Sequence, residues 1–212
     1  MPIIVTSMSA AYAAMTGDAW RRSLETTNPD VSFYIVSEDL PEDTGYNSFM
    51  QPIGVRRPMP ELNHAAFCEA AKYQLSIHPE LDQTDYRWQP IRFSHKPYAL
   101  MQATIVFPFE ELYWFDADVE FTDKINFDKI IPDPAGVSYL GRPAYAHSEA
   151  GFVGIGRFAK IFVYNWFKYY KSGALFALPE WHDVVAMDCA LAESCMRTRD
   201  LSEDINDKHP WP

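Results

Sequence analysis

Short apolar runs alternate along this chain with longer segments of helical character. Residues 3–6 form the first such run, bounded by proline and small polar residues, and predict a buried strand. An alanine-rich segment from about Ser9 to Thr27 predicts a helix, closed by Asn28-Pro29. Val31 to Val36 predicts a second strand, running into Glu38-Asp39. Pro41 to Pro60 has no clear period and is expected to be loop with a short edge strand. Glu61 to His78 is helical by composition and is stopped by Pro79. Ser94 as N-cap, with Pro97 in the first turn, predicts a helix leading to the run Leu112 to Phe115. Val137–Leu140 and Gly151–Ile155 predict further strands, Arg157–Lys171 an aromatic-rich helix, and about His182 to Arg197 a last helix. Strands alternating with helices, without repeats or low-complexity tracts, predict one α/β domain over residues 1–212. Its expected form is a sandwich with a mainly parallel central sheet and helices on both faces.

Composition narrows the function. Of 212 residues 48 % are hydrophobic and 15 % aromatic, enough for a packed globule. The formal net charge is −11, which disfavours nucleic acid and anionic membrane as partners. Cys68, Cys189 and Cys195 have no metal-ligand spacing and read as reduced thiols of a cytoplasmic protein. The first basic residues are Arg21 and Arg22, so the start lacks the charge pattern of a signal peptide, and no segment is long enough for a membrane span.

The most informative chemistry lies at Asp116-Ala117-Asp118, directly after Leu112-Tyr-Trp-Phe115. If the apolar run is a strand, alternation puts both carboxylates on the same side at its carboxyl end, where ligands gather in open α/β sheets. Two such carboxylates repel unless a cation lies between them. The small Ala117 lets a ligand approach the backbone. The bland alternative is a solvated turn in an acidic protein.

Asp116-Ala117-Asp118, the segment His147 to Val153, the triplet Trp181-His182-Asp183 and His209 occur in the order seen in one enzyme family. With them the chain resembles nucleotide-sugar-dependent glycosyltransferases of the GT-A (Rossmann-like) fold, in particular small bacterial and phage-type members. The resemblance implies a metal-dependent enzyme that moves a hexose from a nucleoside-diphosphate sugar, with UDP favoured, to an acceptor hydroxyl. Asp116 and Asp118, completed by His209, would hold Mn2+ or Mg2+ against the donor diphosphate; a histidine ligand tilts the choice to Mn2+. Gly151 belongs to the strand that shapes the sugar pocket. Asp183 at a helix start would be the base of an inverting reaction, with Glu149 as rival base or sugar ligand. An aspartate in a first helical turn also has an ordinary explanation in the helix dipole. The usual acidic neighbour of the base is His182 here, which leaves inverting against retaining chemistry open. The sequence stops three residues after His209, consistent with a covering tail beyond it.

Other donor contacts follow from position. Arg92 and Lys96 flank the expected helix start around Ser94, where cations and free N–H groups meet phosphate, unless they form a solvated basic turn. Arg142 follows a strand and faces the sugar or diphosphate, while Thr6 and Ser7 end the first strand near the nucleoside. A glycan, a lipid-linked sugar or a small molecule would serve as acceptor. Two alternatives are a sugar-nucleotide nucleotidyltransferase and a non-catalytic carbohydrate-binding protein. Residues Ser7 to Tyr12 contain neither the glycine nor the basic residue expected of the former.

Overall fold

The computed structural model describes residues 2–16, 19–38, 55–56, 62–142 and 147–204. Its strands are β1 (Pro2–Met8), β2 (Ser32–Ser37), β3 (Val55–Arg56), β4 (Glu111–Phe115), β5 (Gly136–Leu140), β6 (Glu149–Gly156) and β7 (Arg197–Asp200). They join in one sheet in the order β3-β2-β1-β4-β6-β5-β7. β1 pairs in parallel with β2 and β4, β2 with β3, and β5 with β7. β6 alone runs the other way, antiparallel to both β4 and β5. The mainly parallel sheet thus matches expectation. The chain winds to one side of β1 through β2 and returns to β4 on the other, which opens a crevice at the carboxyl ends of β1 and β4.

The central strands alternate between two cores. Ile3, Val5, Leu112 and Trp114 pack on one face, against α3 (His64–Ile77), α4 (Pro90–Val106), α6 (Lys160–Lys171) and α7 (Asp183–Ser194). Ile4, Phe33, Ile35 and Tyr113 pack on the other, against Trp20 and Leu24 of α2 (Ala19–Thr27) and the short α5 (Phe127–Ile130). Burial on both faces explains why the strands read as continuous apolar runs instead of strict alternations. Fully burying a side chain of this size contributes about 1.5–3 kcal/mol. Tyr113 and Trp114, 0 % and 2 % exposed, therefore fix β4 firmly from opposite sides.

Three elements differ from the sequence expectation. The helix expected at 9–27 is seen as α1 (Ala10–Thr16) and α2, on either side of residues outside the description. α4 starts at Pro90, not at Ser94, and carries Pro97 in its interior. Pro97 cannot donate a helical hydrogen bond, but it is buried beside Tyr98, Ala99, Leu100 and Ala103, whose burial holds the helix together. Ser94 is no cap; its hydroxyl donates to the Ile91 carbonyl at 2.7 Å. The last helix ends at Ser194, with Cys195 in left-handed conformation, and the chain turns into β7. Arg197-Thr-Arg-Asp200 has no apolar run to announce a strand, because an edge strand needs few buried side chains and is protected by charge. The short edge strand expected within 41–60 is β3.

His64 packs between α3 and α4, with its Nε2 2.6 Å from Ser94 Oγ and its ring 4.5 Å from that of His95. Since Ser94 already donates to Ile91, His64 donates from Nε2 and is neutral. Burial first, and the neighbouring His95 second, lower its pKa from 6.5 to about 4. Between these values the unfolded chain binds more protons than the folded one, so stability falls as pH drops through that window. After allowance for partial exposure the loss is about 1–2 kcal/mol. Urea denaturation at pH 7 and pH 4.5 should show the wild type losing that much more stability than His64→Gln. Parallel profiles for the two proteins would remove His64 as the cause.

Candidate active site

β4 ends at Phe115, and the next residue carries the first candidate carboxylate. The Asp116 N–H donates to the Gly151 carbonyl at 3.0 Å, one step beyond the last β4–β6 pair. Val119 N–H returns to the Asp116 carbonyl at 3.1 Å, so Asp116, Ala117 and Asp118 form a turn. A turn, and not continued strand alternation, brings both carboxylates to the same cleft. That cleft measures about 1030 Å³ and is lined by Asp116, Asp118, Arg142, Glu149, Gly151 and Arg199, among others.

Asp116 Oδ1 accepts from Trp114 Nε1 at 2.6 Å and lies 2.9 Å from Lys96 Nζ. Lys96 projects from α4 and is 7 % exposed. Its ammonium lies 2.6 Å from Asp183 Oδ2 and donates to the Ala150 carbonyl at 2.7 Å. All three bonding directions of the ammonium are thereby used. Burial alone would lower the Lys96 pKa, but Asp116 and Asp183 outweigh it and hold the group charged, above its ordinary value. Burial raises Asp183 too, yet Lys96 and His182 overcome this and keep it ionised. Asp116 is pushed up, by burial first; Lys96 offsets this in part and the Asp183 charge adds to it. One ammonium shared by two carboxylates leaves a surplus negative charge beside Asp118.

Asp116 Oδ2 takes no part in these contacts, and among the described residues Asp118 makes no hydrogen bond or ion pair. These uncommitted oxygens fit a hard divalent cation such as Mg2+ or Mn2+. Gly151 sits against them: a Cβ there would lie 3.2 Å from Glu149 Oε1 and 3.4 Å from Asp116 Oδ2. Glu149 is held on one side by the Gly151 N–H at 2.9 Å and on the other by Arg142 Nη2 at 2.6 Å.

The structure brings Asp116, Ala117, Asp118, Arg142, Glu149 and Gly151 to the cleft or its rim, with Lys96 beneath. Other expected residues fall elsewhere. Arg92 is exposed in the first turn of α4, 3.3 Å from Gln89 Oε1, while Lys96 lies a turn further along the helix and is buried, so the two do not meet at the helix N-terminus. Thr6 is fully buried inside the sheet. Ser7 is 8 % exposed and donates to Glu38 at 2.9 Å. Asp183 heads α7 as expected but is 3 % exposed, tied to Lys96 and absent from the cleft lining. His209 lies outside the described residues.

Sequence inspection missed Trp114 as a partner of Asp116, Arg199 and Lys129 as cations of the cleft wall, and Tyr12. Burial, then the charges of Asp118 and Asp116, raise the Tyr12 hydroxyl above its normal pKa, which places Tyr12 beside the pair. Arg199 came from an unforeseen strand and had no local signal; Tyr12 follows the first strand and could have been suspected from that position alone.

Removing Lys96 leaves Asp183 buried without its cation. Lys96→Met should therefore cost about 3–5 kcal/mol in urea denaturation. A loss below about 1 kcal/mol would mean that the ion-pair cluster is not what holds α4, β4 and α7 together.

No protein-family model matches the chain, and no curated protein matches it in sequence. Solved structures do match in shape. The chain is similar to the glycosyltransferase GlyE of Streptococcus pneumoniae TIGR4, with TM-score 0.50 and 11 % identity, over 92 % of this chain and 44 % of GlyE. An active-site mutant of LgtC matches with TM-score 0.52 and 13 % identity, over 89 % and 69 % of the two chains. The bifunctional glycosyltransferase WbbM matches with TM-score 0.55 and 12 % identity, over 93 % and 38 %. The chain thus spans less than half of GlyE and WbbM and about two-thirds of LgtC. At these identities the likeness concerns architecture: the chain has the GT-A fold of these glycosyltransferases.

Proposed function

We propose that this chain is a metal-dependent glycosyltransferase domain that moves a hexose from a nucleoside-diphosphate sugar to an acceptor hydroxyl, with UDP as the favoured nucleotide. The observation that carries the proposal is the pair of uncommitted carboxylates, Asp116 and Asp118, opening into a large cleft at the carboxyl end of β4 in a fold used by glycosyltransferases. Asp116 and Asp118 would hold Mn2+ or Mg2+, joined by His209. When bound, the ion offsets charge developing on the departing diphosphate. Arg142 and Arg199 add positive charge to the same wall.

In an inverting displacement the acceptor oxygen forms its bond to the anomeric carbon while the bond to the diphosphate oxygen breaks on the opposite face. The hydroxyl proton passes to a carboxylate. Glu149 is assigned that role in preference to Asp183 on access: both carboxylates are paired, but Glu149 lines the cleft while Asp183 is enclosed beneath it. Asp183 is a positioning residue: it anchors Lys96, which in turn orients Asp116. No helix among the described residues is long and apolar enough to cross a membrane.

A thermal-shift panel of UDP-, GDP- and CDP-hexoses with and without Mn2+ tests the donor. Stabilisation should require both metal and an intact nucleotide sugar, and should vanish in Asp118→Asn. Stabilisation by nucleoside triphosphates alone would point to nucleotidyl transfer, and no response to any nucleotide would point to a non-catalytic protein.

Transfer to added sugar acceptors separates the two carboxylates. Glu149→Gln should lower kcat by about 100-fold or more with donor stabilisation retained. Asp183→Asn should weaken folding and metal response together. Full turnover in Glu149→Gln would return the base role to Asp183 or exclude the inverting route.

A further inference from the structure

Behind Asp183, on the side away from Asp116, lies a second polar cluster that the transfer reaction does not use. His147, Glu180 and His182 offer ligand atoms that all lie within 4.8 Å of one another. Glu180 Oε2 is 2.8 Å from His182 Nε2 and 3.9 Å from His147 Nε2. Its other oxygen, Oε1, faces Arg87 Nη1 at 3.9 Å. One carboxylate oxygen is thus turned to both imidazoles and the other away from them.

The outer nitrogens also face carboxylates, at longer range. His147 Nδ1 lies 3.6 Å from Asp188 Oδ2, and His182 Nδ1 lies 3.9 Å from Asp183 Oδ1. Each imidazole therefore has a carboxylate at its outer nitrogen and the shared Glu180 oxygen at its inner one. In metal-bound histidines a carboxylate hydrogen-bonded to the outer nitrogen fixes the tautomer and makes the inner nitrogen a better donor. Here Asp188 and Asp183 stand slightly beyond that distance, placed to take up the contact when the inner nitrogens bind an ion. The frame is firm: the His182 side chain is 4 % exposed, edge-on to Tyr86, and the neighbouring Trp181 N–H is tied to the Arg87 carbonyl at 2.8 Å.

We propose that His147, Glu180 and His182 form a second metal site, for a borderline transition-metal ion of the Zn2+ type. Two nitrogens and one oxygen suit Zn2+ better than the oxygen-seeking ion expected at Asp116 and Asp118. Ligand atoms of a tetrahedral zinc with bonds of about 2.0–2.1 Å are about 3.3 Å apart. The separations here, 2.8 Å for Glu180–His182 and no more than 4.8 Å for any pair, reach that geometry by closing at most about 1.5 Å and opening about 0.5 Å, with the partly exposed His147 side chain free to move. Three protein ligands leave a fourth position for water. The ion would be linked to Asp116 through His182, Asp183 and Lys96, so its occupancy bears on the alignment of that carboxylate. This site stands independently of the transfer activity proposed above.

Chelator-stripped protein titrated with Zn2+ against a chromophoric competitor, with Co2+ absorption as a reporter of geometry, tests the site. The wild type and Asp118→Asn should each bind one zinc equivalent with equal affinity at this site, and Co2+ should give the intense bands of a four-coordinate site. His147→Ala and Glu180→Gln should each weaken binding at least 10-fold, and Asp188→Asn should weaken it to a smaller degree. Both His147 and Glu180 are partly exposed, so these variants are expected to fold, which circular dichroism checks. Equal zinc affinity in wild type and His147→Ala, loss of binding in Asp118→Asn, or no binding at micromolar zinc would each overturn the proposal.

Discussion

Lys96 is the group on which the candidate site depends. It brings a single positive charge from α4 into the space between β4, β6 and α7, and there it meets Asp116, the Ala150 carbonyl and Asp183. An ammonium so deeply enclosed persists only because its partners return what is lost on leaving water. The same contacts leave two negative charges for one positive, and Asp118 adds a third nearby. The site thus has a built-in excess of negative charge at the mouth of the sheet. A divalent cation is the simplest species to neutralise it, and a diphosphate is the simplest ligand to follow the cation in.

The surrounding fold explains how that arrangement is maintained. Tyr113 and Trp114 insert into cores on opposite faces, so β4 cannot slide or tilt, and the Trp114 indole N–H reaches forward to Asp116. The reversed strand β6 brings Glu149 and Gly151 against the same carboxylate from the neighbouring position in the sheet. α7 begins at Asp183, whose carbonyl accepts from Trp166 Nε1 of α6 at 3.2 Å. Each charged group therefore stands on an element held by apolar packing, and the charges themselves need little adjustment to receive a ligand.

The layout of strands and helices was legible because burial on both faces of the sheet makes apolar runs conspicuous, as in Leu112 to Phe115. Asp116 and Asp118 were legible for the same reason, since they mark the point where such a run ends. β7 was not, because Arg197 to Asp200 is an edge strand without an apolar signature. Nor was the start of α4: Ser94 and Pro97 imitate a helix N-terminus, and only packing against the sheet shows that both lie inside a longer helix. The roles of Lys96 and Asp183 were hidden for a deeper reason. Whether a charge faces solvent or a buried partner depends on contacts between residues 20 and 87 positions apart, which no local pattern encodes. The cluster of His147, Glu180 and His182 is similarly dispersed: His147 and His182 belong to two separate motif segments, and Glu180 to neither.

The central claim, that Asp116 and Asp118 hold a divalent ion at the nucleotide cleft, is most directly tested by electron paramagnetic resonance of Mn2+ titrated into the protein in the presence of UDP. The signal of free aqueous Mn2+ should be suppressed until one equivalent has been added to the wild type, and should appear from the first addition in Asp118→Asn. A free-ion signal that rises identically for both proteins would contradict the account.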